Sequence, residues 1–290
     1  MSGPYQQPGY NPHYQNPPYG ANAPPPAGWN PHNNQQPPPF MPPPHPGMMG
    51  MAGMAEEGNA GDKYHFNFND RTIRAAFIRK VFTLVTIMLL VVAVMTAVPF
   101  FDRDINLKVR SSMGMYWAAY GVFFVVYLAL VCCESVRRSF PANIILTTIF
   151  TLAVGYMTMM ITAHHKIETV LFTLIICTIC CGGIVIFATQ TKYDLTNMMG
   201  FLFIASMCLM VFGLVAAVSV IWFKSPFLHL IYAALASLLF MFYLAVDIQM
   251  LMGGRKYEIS PEDHIFAAVQ IFLDIVYIFW MLLSLFGSSK

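Results

Sequence analysis

Two aspartates lie inside otherwise apolar runs: Asp247 in FMFYLAVDIQML and Asp274 in AAVQIFLDIVYIFW. An ionised Asp at the centre of a membrane helix is unfavourable by roughly 2.5–3.5 kcal/mol. Such a residue is expected to face the protein interior and to act there. Two nearby carboxylates in a low dielectric cannot both ionise cheaply, so the pair should share a proton and titrate as a unit. Loss of that proton would leave mutual repulsion and two hard oxygen ligands, the kind Ca²⁺ prefers. Two carboxylates fall well short of the roughly six to eight oxygens of a tight Ca²⁺ site. Weak, transient coordination fits better, as a conduction pathway requires. The other reading is a hydrogen-bonded, permanently protonated pair that only fixes helix packing.

A second charged element is Glu134 with Arg137 and Arg138 in CCESVRRSFP. It reads as an ordinary basic membrane flank, or as a guanidinium that turns inward and pairs with a carboxylate, closing a gate. His164, His165 and Glu168 read as an exposed loop. The spacing C-x-x-C-C at 177–181 resembles a metal motif, but thiolate ligation needs deprotonation and a polar surround. Buried, reduced thiols are the expected state. No nucleophile–base pair or closed ligand set appears, so an enzyme is not expected, and no cofactor is called for.

The elements that must position these groups follow from the distribution of charge. The chain is 57% hydrophobic and only 10% charged, against about 25% charged in soluble domains. The charges leave seven long gaps, and a spanning helix needs about 20 apolar residues. The expected fold is an all-α membrane protein with helices near 81–101, 113–133, 142–163, 168–189, 198–222, 227–251 and 265–286. Helical spacing puts His229, Tyr232 and Tyr243 on the face of Asp247, and Gln270, Tyr277 and Ser284 on the face of Asp274. Lipid offers no water to such stripes, so they should face each other or a wet cavity. The short connection between the last two helices makes them antiparallel neighbours. Pro141 and Pro226 fall at first turns, where proline is tolerated. Ser260-Pro261-Glu262-Asp263 reads as an N-cap, a first-turn proline and two acidic residues favouring the helix dipole.

Residues 1–60 are a different regime. Sixteen of the 20 prolines fall in 1–46, and no Asp, Glu, Lys or Arg precedes Glu56. Such a composition predicts a disordered, partly polyproline-II arm. Its proline runs, such as Pro42-Pro43-Pro44, could dock onto adaptor domains; a passive, solvated tail is the alternative. Residues 61–80 read as a basic amphipathic membrane flank, either an interfacial helix with apolar Ile73, Phe77 and Ile78 or a plain basic approach to the first span. Residues 81–287 make the transmembrane domain. With the N-terminus cytosolic, ten Lys/Arg fall on that side and six on the other, which favours this orientation. The partners expected are the lipid bilayer and Ca²⁺, with no nucleic acid. A seven-helix receptor is disfavoured by the short loops and the cytosolic N-terminus.

Three stretches, FIRKVFTLVTIMLL at 77–90, CCESVRRSFPANIILTTIFTLAVGYM at 132–157 and AVDIQMLMGGRKYEISPEDHIFAAVQIFLDIVYIFWMLLSLFG at 245–287, resemble the transmembrane Bax inhibitor motif family. The branch most resembled is the lifeguard and glutamate-receptor-associated group. The resemblance implies a seven-helix bundle with the last helix central. It also implies a pH-sensitive calcium leak across internal membranes, with Ca²⁺ as the permeating ion, and a restraint on apoptosis exerted with apoptosis regulators. The family's paired aspartates fall on Asp247 and Asp274, and its latch arginine on Arg137 or Arg138. An endoplasmic reticulum or Golgi membrane is implied, with plasma or endolysosomal membrane as the alternative. The competing expectation is a non-conducting membrane adaptor acting through the proline-rich arm.

Overall fold

The computed structural model describes residues 58–224 and 227–287, with side chains from residue 71. The proline-rich arm before residue 58 and Pro226 lie outside the described residues. The chain divides into units 1–60 and 61–290, and the second carries every spanning helix. The described helices are α1 (Gly58–Phe101), α2 (Arg103–Ser111), α3 (Met113–Cys132), α4 (Glu134–Arg138), α5 (Ala142–Ala163), α6 (Ile167–Gln190), α7 (Met199–Phe223), α8 (Phe227–Met252) and α9 (His264–Phe286). No strand occurs among the described residues. Among the described residues, seven helices are long and apolar enough to cross a membrane: α1 from Arg71, α3, α5, α6, α7 with the 3-10 turn from Leu195, α8, and α9 with the turn from Pro261.

The last helix is the axis of the bundle. Two thirds of its apolar window is buried (67%), against 11% for α7 and 50% for α5, the next most buried. It packs on α8, α6, α5 and α3. One apolar cluster joins α9 to α1, α6 and α8 through Ile271, Ile278, Leu244 and Cys177. A second joins it to α1, α3 and α5 through Phe272, Phe150, Phe123 and Met88. Several polar groups inside the bundle find partners locally. On α5 the Thr147, Thr151, Thr158 and Thr162 hydroxyls donate to carbonyls four residues earlier, which satisfies them without water. Trp280 of α9 donates its indole N–H to Thr158 Oγ1 at 3.0 Å.

Three local expectations change. Residues 102–112, read from sequence as a loop, form α2, whose N-terminus is capped by Asp102 accepting from the Asp104 N–H at 2.8 Å. The basic flank is not a separate surface helix, because α1 runs unbroken from Gly58 into the first span. Along it Phe77 is buried in the core while Ile73 stays half exposed. Ser260 precedes the last helix as expected, but its side chain makes no capping bond.

Candidate functional site

Asp247 comes from the last third of α8 and Asp274 from the middle of α9. Both are buried, at 5% and 8% exposure. Their carboxyl groups are close enough across the α8–α9 interface to act on each other. Asp274 Oδ2 is buried with no hydrogen-bond partner. A buried acceptor left unmatched by protein groups is uncommon. One turn earlier on α9, Gln270 Oε1 accepts from the Tyr127 hydroxyl of α3 at 3.3 Å. Tyr127 is close enough to feel both carboxyl groups. On the other flank, α6 brings Cys177 and Cys181 to 3.8 Å, and Cys177 Sγ lies 3.8 Å from the Ile275 carbonyl. The spacing at 177–181 thus sets two thiols beside the aspartate pair, packed against the backbone of α9.

Only part of each polar stripe faces the pair. Tyr243 donates to the Leu202 carbonyl of α7 at 3.2 Å. Tyr232 lies against Phe212 and His229, and it fills the space a side chain at Gly213 would occupy. A sector of roughly 60° is wide enough to straddle two neighbours, and here the rest of the α8 stripe turns to α7. On α9, Tyr277 stacks on Phe240 with ring centroids 4.7 Å apart.

The two arginines are placed differently from the expected latch. Arg137 Nε donates to Asp263 Oδ1 at 3.0 Å, and its Nη1 donates to the Val131 carbonyl at 2.9 Å. Arg138 is bidentate on the same carboxylate, at 2.8 and 2.9 Å, and reaches Glu262 at 3.2 Å. The Asp263 carboxylate pushes the Arg138 guanidinium further above its ordinary value. Both arginines therefore hold the entrance to α9, about three turns from Asp274. Spacing alone could not select Asp263 as the partner, since any carboxylate at that end would have served. The signal was present in the sequence: a double arginine and an acidic pair, Glu262-Asp263, assigned to the same side of the membrane.

Arg74 is a structural clamp that sequence reasoning missed. Read as a flank cation, it turns into the bundle. Its guanidinium donates to the carbonyls of Met250 (3.0 Å), Met252 (3.3 Å) and Ile259 (2.8 Å) and lies 3.5 Å from Glu258. It satisfies carbonyls at the end of α8 that have no intrahelical partner. Gly253 and Gly254 adopt φ of 74° and 72° to fold the chain back, and the Ile259 N–H closes the loop on Met250 O at 3.1 Å. The α8–α9 connection is thus clamped at both ends, by Arg74 on the α8 side and by Arg137 and Arg138 on the α9 side.

The neighbouring α6–α7 turn is fixed in the same region. Gln249, 1% exposed, donates to Tyr193 O and accepts from the Leu195 N–H, each at 2.8 Å. Asp194 accepts from Thr196 and from the Lys256 N–H. The Thr196 hydroxyl, above all, holds the Asp194 carboxyl below the usual carboxylate range. A depressed value stabilises above the unfolded chain's titration, about pH 3.9, and that stabilisation is lost only as pH falls through the still lower folded value. Asp194→Asn is therefore expected to weaken this turn equally at pH 5 and pH 8. Thermal unfolding at the two pH values checks it; a penalty that disappears at pH 5 would refute the assignment.

Residues 74–290 match the protein family described as "Inhibitor of apoptosis-promoting Bax1". That stretch takes in Arg74, both latch candidates, Asp263 and the aspartate pair. Protein lifeguard 3 of Mus musculus is 39% identical over 251 residues, covering 86% of this chain and 81% of the relative. Human protein lifeguard 3 is 38% identical over 256 residues, covering 86% and 82%. Mouse protein lifeguard 4 is 27% identical over 213 residues, covering 73% and 84%.

Proposed function

Because the chain belongs to the Bax inhibitor family and is a multi-pass membrane protein, we propose that it is a proton-sensitive calcium leak and a negative regulator of apoptosis. The observation that carries this reading is the buried Asp247–Asp274 pair, with an unmatched oxygen, at the centre of the bundle. While the two carboxyl groups share a proton they hold α8 to α9. When it leaves, two like charges stand in an apolar surround and repel. Their oxygens then attract a divalent cation, which two ligands hold only transiently. Ca²⁺ is the permeating ion, not a resident cofactor, and the chain acts without enzymatic chemistry. An endoplasmic reticulum or Golgi membrane, with the N-terminus cytosolic, suits this role.

The test is flux into liposomes loaded with a Ca²⁺ dye, across a pH series. Leak is expected to rise as pH goes from acidic to neutral. Asp247→Asn with Asp274→Asn should remove that dependence and cut flux at neutral pH at least tenfold. Unchanged flux and pH profile in the double variant would end the proposal. A second reading, a non-conducting adaptor, is favoured by the proline density of residues 1–46. Deleting residues 1–60 separates the two. Loss of protection from cell death with flux intact would favour the adaptor.

A further inference from the structure

A cavity of about 420 Å³ opens between α1, the start of α5 and the start of α9. Its lining combines two cations, Arg79 and Lys80, and the imidazole of His264 with apolar Leu84, Ile87 and Ile144. Ile87 and Ile144 are half exposed, at 53% and 52%, and face outward from the bundle. The order along α1 matters. The two cations sit one turn before Leu84 and two turns before Ile87, so charge lies at the membrane surface and hydrocarbon below it. Arg74, Arg137, Arg138 and Arg255 at the same end are engaged by protein acceptors. Arg79 and Lys80 have no ion pair or side-chain hydrogen bond among the described residues.

We propose that this cavity binds an anionic phospholipid, with its headgroup phosphate between Arg79, Lys80 and His264 and an acyl chain along Leu84, Ile87 and Ile144. Basic pockets between spanning helices are suited to such headgroups, and the guanidinium of Arg79 offers a fork that matches phosphate oxygens. The volume takes the headgroup and the first methylenes, and the rest of the chain lies on the exposed isoleucines. The lipid would bridge α1 to the entrance of α9, next to Asp263. This site stands whether or not the chain conducts Ca²⁺.

The experiment uses the full chain in phosphatidylcholine nanodiscs containing a minor share of phosphatidylserine, with bound lipid counted by native mass spectrometry. The unaltered chain is expected to retain phosphatidylserine in preference to phosphatidylcholine. Arg79→Gln with Lys80→Gln should weaken that retention by about 30-fold, the contribution of two basic groups near an anionic lipid surface. Ile144→Trp should reduce retention as well, because it fills the apolar wall without changing charge. Lys108→Gln with Arg110→Gln removes the same charge beyond the other end of α1 and should leave retention unchanged. Undiminished retention in the Arg79/Lys80 variant would overturn the proposal. Equal loss in the Lys108/Arg110 variant would reduce it to diffuse attraction and overturn it too. Displacement of the lipid by soluble glycerol phosphate alone would reassign the site to free phosphate esters.

Discussion

Asp263→Ala is expected to destabilise the bundle by about 2–3 kcal/mol, because it leaves two guanidiniums without their shared carboxylate. The pair is mostly but not fully shielded: the Arg137 and Asp263 side chains are 11% and 12% exposed, and Arg138 is 37% exposed. Solvent at Arg138 trims the roughly 3–5 kcal/mol that breaking a fully buried pair brings. In a chain of this size that corresponds to a fall of roughly 5–10 °C in unfolding temperature in detergent. Asp263→Glu should recover part of it. The sharper check is a double-mutant cycle. Arg138→Met on the Asp263→Ala background should add little, since the two residues act as one contact. Fully additive losses would show that the ion pair is incidental. Under the proposed leak, the same variant should raise basal Ca²⁺ flux at acidic pH, because the entrance to α9 would no longer be held.

Gly253→Ala is expected to lower stability by about 3 kcal/mol, and Gly254→Ala by only about 1 kcal/mol. Both positions have positive φ, which opposes any side chain by roughly 1–2 kcal/mol. They differ in what a Cβ would meet. At Gly254 there is open space, whereas at Gly253 it would run into the guanidinium of Arg74. Displacing Arg74 forfeits its bonds to Met250, Met252 and Ile259, and bonds from a charged donor contribute roughly 1.5–3 kcal/mol. Thermal unfolding of the two variants gives the comparison. Equal losses would mean that backbone conformation alone sets the effect and that Arg74 clamps nothing.

The spans were legible in the sequence because apolar length is a direct consequence of bilayer thickness. Asp247 and Asp274 were legible because a charge in an apolar run has so few physical excuses. That α9 is central came from resemblance, since its composition hardly differs from that of α7. Its burial is a matter of which neighbours surround it. The partners of Arg74, Arg137 and Arg138 across the bundle were not legible, because they lie 125 or more residues away and helical spacing carries no information across that distance. Gly253-Gly254 nonetheless held a clue. A helix ending in two glycines leaves carbonyls to be satisfied, and a nearby arginine is a natural donor. The stripes of α8 and α9 were half right: the geometry that put Asp247 opposite Asp274 also let Tyr232 and Tyr243 turn the other way.

The burial of α9 bears on how the molecule is made. The helix that touches α3, α5, α6 and α8 is also the one that leaves the ribosome after all of them. Until it arrives, the contacts it makes with those four helices are missing. An ionised Asp274 would cost roughly 2.5–3.5 kcal/mol to insert, and the carboxyl group it faces is Asp247, on the helix inserted just before it. The final two helices therefore have reason to enter as a hairpin, with Asp263 and the glycine turn meeting their arginines only once both spans are in place. The last bonds to form as the bundle closes would then be those that tie the α8–α9 connection to helices already inserted.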